Sequence, residues 1–144
     1  MAVTAGGTAA AQTGDDDGAV EVQTSTNPGS VYQTSDNFCH FANWGGNWYC
    51  LGTGVDLVDW TKPDGYPEVF VIGTDQHMWT RWSSPSGTSN WLDMGGVCNP
   101  RYGLPAKASG WTITIACVGT DNAWWHDSRD KYGHWTGFVP GKGF

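Results

Sequence analysis

No apolar run in the 144 residues approaches the ~18 residues of a helical membrane span, so an integral membrane protein of that kind is excluded. Basic side chains are scarce. Seven Lys and Arg stand against fourteen Asp and Glu, a formal net charge of −7. That leaves no basic patch for holding a phosphate backbone by counterion release, and nucleic-acid binding is not expected. Charged residues of either sign make up 15% of the chain, against about 25% in an ordinary globular domain, so there is little material for long solvated helical faces. Catalytic signatures are missing as well: there is no G-x-S-x-G elbow, H-E-x-x-H, Walker loop or dinucleotide fingerprint. No C-x-x-C marks a zinc ribbon or a thioredoxin-type site. His126 and His134, with Asp127 and Asp130, lack the spacing of a zinc site. Asp15-Asp16-Asp17 lacks the glycine turn and distal Glu of an EF-hand loop and reads as a solvated run. The expectation is a non-enzyme with neither metal nor cofactor.

What the chain has in quantity is aromatic side chains and turn formers: ten Trp, five Tyr, five Phe and 21 Gly. Large anchors between frequent turns point to an all-β protein. Residues 1–30 have another texture, rich in Ala, Gly, Thr, Ser and Asp, and the first aromatic is Tyr32. Such a segment cannot bury enough apolar area to offset its ordering entropy, so residues 1–30 read as a flexible acidic N-terminal segment. Within it Ala19–Thr24 alternates weakly and could add to a sheet as a strand. Residues 31–144 read as the folded domain. The first 61 residues hold no Lys or Arg, so all the net negative charge lies in this part of the chain, a solubilising leader.

Self-comparison shows a repeat. Glu68-Val-Phe-Val-Ile-Gly-Thr-Asp-Gln-His-Met-Trp79 matches Thr114-Ile-Ala-Cys-Val-Gly-Thr-Asp-Asn-Ala-Trp-Trp125 at an offset of 46 residues. In both, an apolar strand runs into Gly-Thr-Asp, a hairpin signal, and an aromatic follows four residues after the Asp. Trp91 pairs with Trp135 at an offset of 44. A weaker copy upstream aligns Asp36 with Asp75 and Trp48 with Trp91. The fold expected is all-β and β-propeller-like, with three four-stranded antiparallel blades. Propellers close with about four to eight blades, so three would be completed by oligomerisation; two copies give a six-bladed ring. The β-branched runs Val69–Ile72 and Ile113–Val118 suit strands buried on both faces, with the prolines falling between strands.

Four cysteines, an even count in a small Gly-rich chain, suggest two disulfides and an oxidising, extracellular compartment. The start of the chain lacks the basic and apolar regions of a signal peptide, so on this reading it is a mature exported chain with a start Met. Four cysteines allow three pairings. The repeat favours Cys39–Cys50, on neighbouring strands of one unit, and Cys98–Cys117, which ties one unit to the next.

Glu68–Trp82, followed by Asn90-Trp-Leu-Asp-Met-Gly-Gly96, resembles one blade of the PLL-like bacterial fucose-binding lectins. Those propellers repeat a strand, Gly-Thr-Asp, a Leu-Trp-His type pair, then Trp and Leu-Gly-Gly. Residues 114–126 keep Gly119-Thr120-Asp121 and Trp124-Trp125-His126, with Phe138-Val139 where Leu-Gly-Gly stands in the family. The resemblance covers about residues 55–140 and implies a secreted, multivalent, fucose-type lectin. The residues themselves suit such a role, because a sugar needs an aromatic plate under its C–H face and fixed donors and acceptors for its hydroxyls. The candidate pockets are Trp79, Arg81, Trp82 and Trp91 in the second unit, and Trp125, His126 and Trp135 in the third. Glycans are thus the expected partners, together with further copies of the chain. The alternative is a structural protein that assembles into a ring or filament through its blade faces and N-terminal segment.

Overall fold

The computed structural model describes residues 20–21, 31–33, 38–41, 44–50 and 57–144. Most of the N-terminal segment, and Asp36 of the upstream copy, lie outside them. The described residues are all-β, built from thirteen strands and one short 3₁₀ turn at Pro100–Tyr102.

Three antiparallel sheets follow one another along the chain. The first contains β2 (Val31–Gln33), β3 (Phe38–Phe41) and β4 (Asn47–Tyr49). The second runs β5 (Leu57–Thr61), β6 (Pro67–Ile72) and β7 (His77–Ser84). Its fourth strand is split: β8 (Gly87–Thr88) pairs the far end of β7, and β9 (Leu92–Val97) pairs the near end. The third runs β10 (Ala106–Ser109), β11 (Thr112–Val118), β12 (Trp124–Arg129) and β13 (Val139–Pro140). A two-residue strand from the N-terminal segment, β1 (Val20–Glu21), pairs β10 and covers that edge within the same chain. Two prolines sit in strands rather than between them. Pro67 opens β6 and Pro140 ends β13, positions where a missing N–H disturbs little.

The sheets stack in chain order, because β6 is apolar on both faces. Val69 and Val71 join Phe41, Trp44 and Trp48 in a core between the first and second sheets. Phe70 and Ile72 join Ile113, Ile115 and Trp135 in a larger core between the second and third. Successive side chains of a strand point to opposite faces, so an uninterrupted β-branched run can serve two cores at once. The described residues form an open stack of sheets and no closed ring.

Each junction carries its own fastening. Cys39–Cys50 lies within the first unit, Cα atoms 5.7 Å apart. Cys98–Cys117 joins the end of β9 to β11 across the second junction, Cα atoms 5.6 Å apart. Both pairings are those favoured from the repeat. The second junction also holds an ion pair: Arg129 on β12 donates from both terminal nitrogens to Glu68 on β6, at 3.0 and 2.8 Å. Across the first junction, Arg81 donates from Nη1 to the carbonyl of Trp44, while its Nε donates to Ser89 O within the second unit at 2.7 Å.

Candidate functional site

At the first junction a cleft of about 290 Å³ opens between β4 and the β6–β7 hairpin. The hairpin wall explains the repeated Gly-Thr-Asp. Gly73 N–H donates to His77 O at 2.9 Å and Gln76 N–H to Gly73 O at 2.8 Å, closing the turn. Asp75 Oδ1 accepts from His77 N–H and from the Trp79 indole N–H, both at 3.0 Å. The Trp79 ring is thereby folded back over the turn. A Cβ on Gly73 would stand 2.7 Å from Trp79 Cδ1, so glycine here provides room for the ring rather than an unusual φ. Asp121, Trp125 and Gly119 repeat this arrangement in the third sheet, with the indole N–H 3.1 Å from the carboxylate. The recurring sequence is a self-contained hairpin in which an Asp latches the Trp four residues later.

The opposite wall comes from Gly46, Asn47 and Trp48, and Trp91 completes the cleft. Trp91 stacks on Phe41 at 6.3 Å and lies over Gly46, where a Cβ would come within 3.0 Å of its Nε1. Gly46 also has φ +85°, so two separate constraints select glycine. The indole nitrogens of Trp48 and Trp91 are buried without a hydrogen-bond partner. A buried donor left unpaired costs about 1–3 kcal/mol, and Trp135 Nε1 and Asp127 Oδ2, away from the cleft, are left unpaired in the same way.

Asp75 contributes a second function at the rim. Its Oδ2 lies 3.8 Å from His77 Nδ1, which in turn lies 3.0 Å from Asp93 Oδ2. Burial works against the Asp75 charge, but the N–H groups of Trp79 and His77 outweigh it and hold the carboxyl below its usual range. The hydrogen bond to Asp93 raises the His77 pKa, against a smaller effect of burial. The three side chains bring one ligand atom each within 4.8 Å of one another. The His77–Asp93 ion pair accounts for this geometry without a metal.

A group whose folded pKa is raised stabilises the fold below its unfolded pKa, about 6.5 for His, and loses that contribution as pH rises through the folded value. His77 is therefore expected to titrate above the ordinary histidine range in an NMR titration, and Asp93→Asn to bring it back down. An inflection of His77 at or below the ordinary value would contradict the pairing.

No protein-family model matches the chain, and no curated protein does.

Of the second-unit residues singled out from sequence, Trp79 and Trp91 line the cleft and the other two do not. Arg81 sits 6.0 Å from the Trp91 ring, with its guanidinium committed to the main-chain carbonyls of Trp44 in the first unit and Ser89 in the second. Trp82 is on the other face of β7, opposite Glu68 in the register. The third-unit residues are not brought together. Trp125 and His126 are neighbours on β12 and point to opposite faces. The His126 ring is covered by the last residues of the chain, with Nδ1–H donating to Gly141 O at 2.8 Å and Gly143 packed against it. Trp135 is buried against Phe70 and pairs with Arg129, about 13 Å along the strand from Trp125.

The register also replaces two sequence alignments. Trp79 pairs with Asp93 as Trp125 pairs with Pro140, which makes Phe138, not Trp135, the counterpart of Trp91. Trp48 bridges Gly73 as Cys98 bridges Gly119, so Trp48 corresponds to Cys98 rather than to Trp91. Sequence reasoning missed Asn47 and Trp48 as wall residues and Asp75 as more than a turn former. The glycines at 45 and 46 were the available signal for a close approach there.

Proposed function

We propose that the protein is a non-enzymatic carbohydrate-binding protein, secreted, and akin to the PLL-like propeller lectins that its second unit resembles. The observation that supports this most is the cleft itself. Indole rings from Trp79 and Trp91 offer apolar plates, two buried indole N–H groups lack acceptors, and an ionised Asp75 accepts at the rim. A sugar ring needs this combination: a flat apolar surface for its C–H face, donors for some hydroxyl oxygens and a carboxylate for hydroxyl protons. The volume is at the small end of ligand pockets and suits one monosaccharide residue. Two buried disulfides fit an oxidising compartment. On this reading the three sheets are blades, and association of copies completes the ring and multiplies the sites, giving avidity without a strong single contact.

The test is an array of neutral and acidic glycans, followed by titration of tryptophan fluorescence with the free sugars. Binding is expected for at least one neutral terminal monosaccharide, weakened tenfold or more by Trp91→Ala. Absence of binding across the array would overturn the carbohydrate reading. Light scattering addresses assembly separately: a mass above 15.6 kDa is expected, and a monodisperse monomer would refute completion by copies.

A further inference from the structure

The two junctions of the stack are built alike, and comparing them separates scaffold from site. Both keep the hairpin: Gly73, Asp75 and Trp79 at the first correspond to Gly119, Asp121 and Trp125 at the second, with the same Asp–Trp latch. The facing wall differs at every position that could offer a donor. Asn47 corresponds to Val97, Trp48 to Cys98 and Trp91 to Phe138. The unpaired indole nitrogens of Trp48 and Trp91 thus have no counterpart by register at the second junction, where the unpaired indole is that of Trp135, packed on Phe70 inside the core. There Phe138 packs so closely on Gly96 that a Cβ would stand 2.5 Å away. Moreover, Cys98 is bonded to Cys117, the counterpart of Val71, so the positions that line the open cleft at one junction are covalently joined at the other.

We infer that each chain carries one ligand site, at the first junction, and that Asn47, Trp48 and Trp91 set it apart, while Asp75 and Trp79 supply contacts that the second junction repeats with Asp121 and Trp125 and that alone make no site. This rests on the carbohydrate reading above. It assigns the second junction a structural role and makes the number of sites equal to the number of chains in the assembly. A ligand that satisfies Trp48 and Trp91 must present acceptor oxygens, and the amide of Asn47, exposed at the mouth, adds both a donor and an acceptor.

The experiment is calorimetric titration of the full chain with a free monosaccharide, L-fucose first and then whichever sugar leads the array. One site per chain is expected. Trp91→Phe keeps an aromatic plate but removes the N–H, copying the second junction, and should weaken binding at least tenfold. Asn47→Val does the same at an exposed position that cannot unfold the protein, and serves if Trp91→Phe is poorly folded. Val97→Asp, which would ruin any site at the second junction, should leave stoichiometry and affinity unchanged. Two sites per chain, loss of a site in Val97→Asp, or full binding by both Trp91→Phe and Asn47→Val would each overturn the inference while leaving the carbohydrate reading standing. No binding of any sugar would remove both.

Discussion

Glu68→Gln is expected to lower the unfolding free energy by about 3–5 kcal/mol, the range for a buried ion pair that loses one partner. Glu68 and Arg129 are 0% and 1% exposed, and both guanidinium nitrogens of the pair donate to the carboxylate. Thr80 Oγ1 adds a third bond to Glu68 at 2.9 Å. The guanidinium lies between the indoles of Trp60 and Trp135, 5.4 and 5.1 Å from their centroids, where no water can replace the lost charge. A neutral amide would leave Arg129 ionised in that setting, and domains of this size are stable by only about 5–15 kcal/mol in total. The double replacement Glu68→Leu with Arg129→Met should recover most of the loss, because no charge then remains unpaired. Urea unfolding of Glu68→Leu, Arg129→Met and their double gives the coupling directly. A loss below about 1 kcal/mol in Glu68→Gln, the range of a surface pair, would mean that the pair is solvated.

That ion pair also marks where sequence reading stops. Its partners are 61 residues apart, and nothing in the local pattern around Glu68 or Arg129 announces the other. What is local was legible. The β-branched run through Val69–Ile72 predicted a strand buried on both faces, and β6 does serve two cores. The Gly-Thr-Asp signal predicted hairpins at Gly73 and Gly119, and both turns close there. Cysteine positions within the repeat indicated both bridges. The site was only half legible, for a register reason. Trp79 pairs with Asp93, 14 residues further on, whereas Trp125 pairs with Pro140, 15 residues further on, so the connection is one residue longer in the third sheet. Spacing along the chain therefore does not track position in the sheet, and Trp135 looked like the partner of Trp91 when Phe138 holds that place. Arg81 misled for another reason. A forked donor beside aromatics suits a sugar hydroxyl, but it suits two backbone carbonyls equally well, and only the neighbouring sheet decides which it meets.

The second large effect concerns the bridge across the second junction. Loop-closure entropy alone assigns nearly the same value to both disulfides: about 2.8 kcal/mol for a separation of 11 residues and about 3.3 kcal/mol for 19. Packing separates them. Cys98 and Cys117 are 0% and 1% exposed within the larger core, so Cys98→Ala with Cys117→Ala also leaves a cavity among Ile115, Met94 and their neighbours. The expected loss is about 4–5 kcal/mol, the top of the range for native bridges in small domains. Cys39→Ala with Cys50→Ala removes a bridge that closes the shorter loop, within the smaller core, and should cost about 2–3 kcal/mol. Access gives an independent order of events. Thiol exchange requires a thiolate to reach a sulfur, and Cys39 and Cys50, at 5% and 8%, are the less covered pair. Under graded reductant, mass mapping should therefore find Cys39–Cys50 opened first, with the larger drop in urea midpoint arriving only when Cys98–Cys117 follows. The reverse order would mean that the junction between the second and third sheets opens more readily than the first sheet's own edge, contrary to a core and an ion pair that both lie across it.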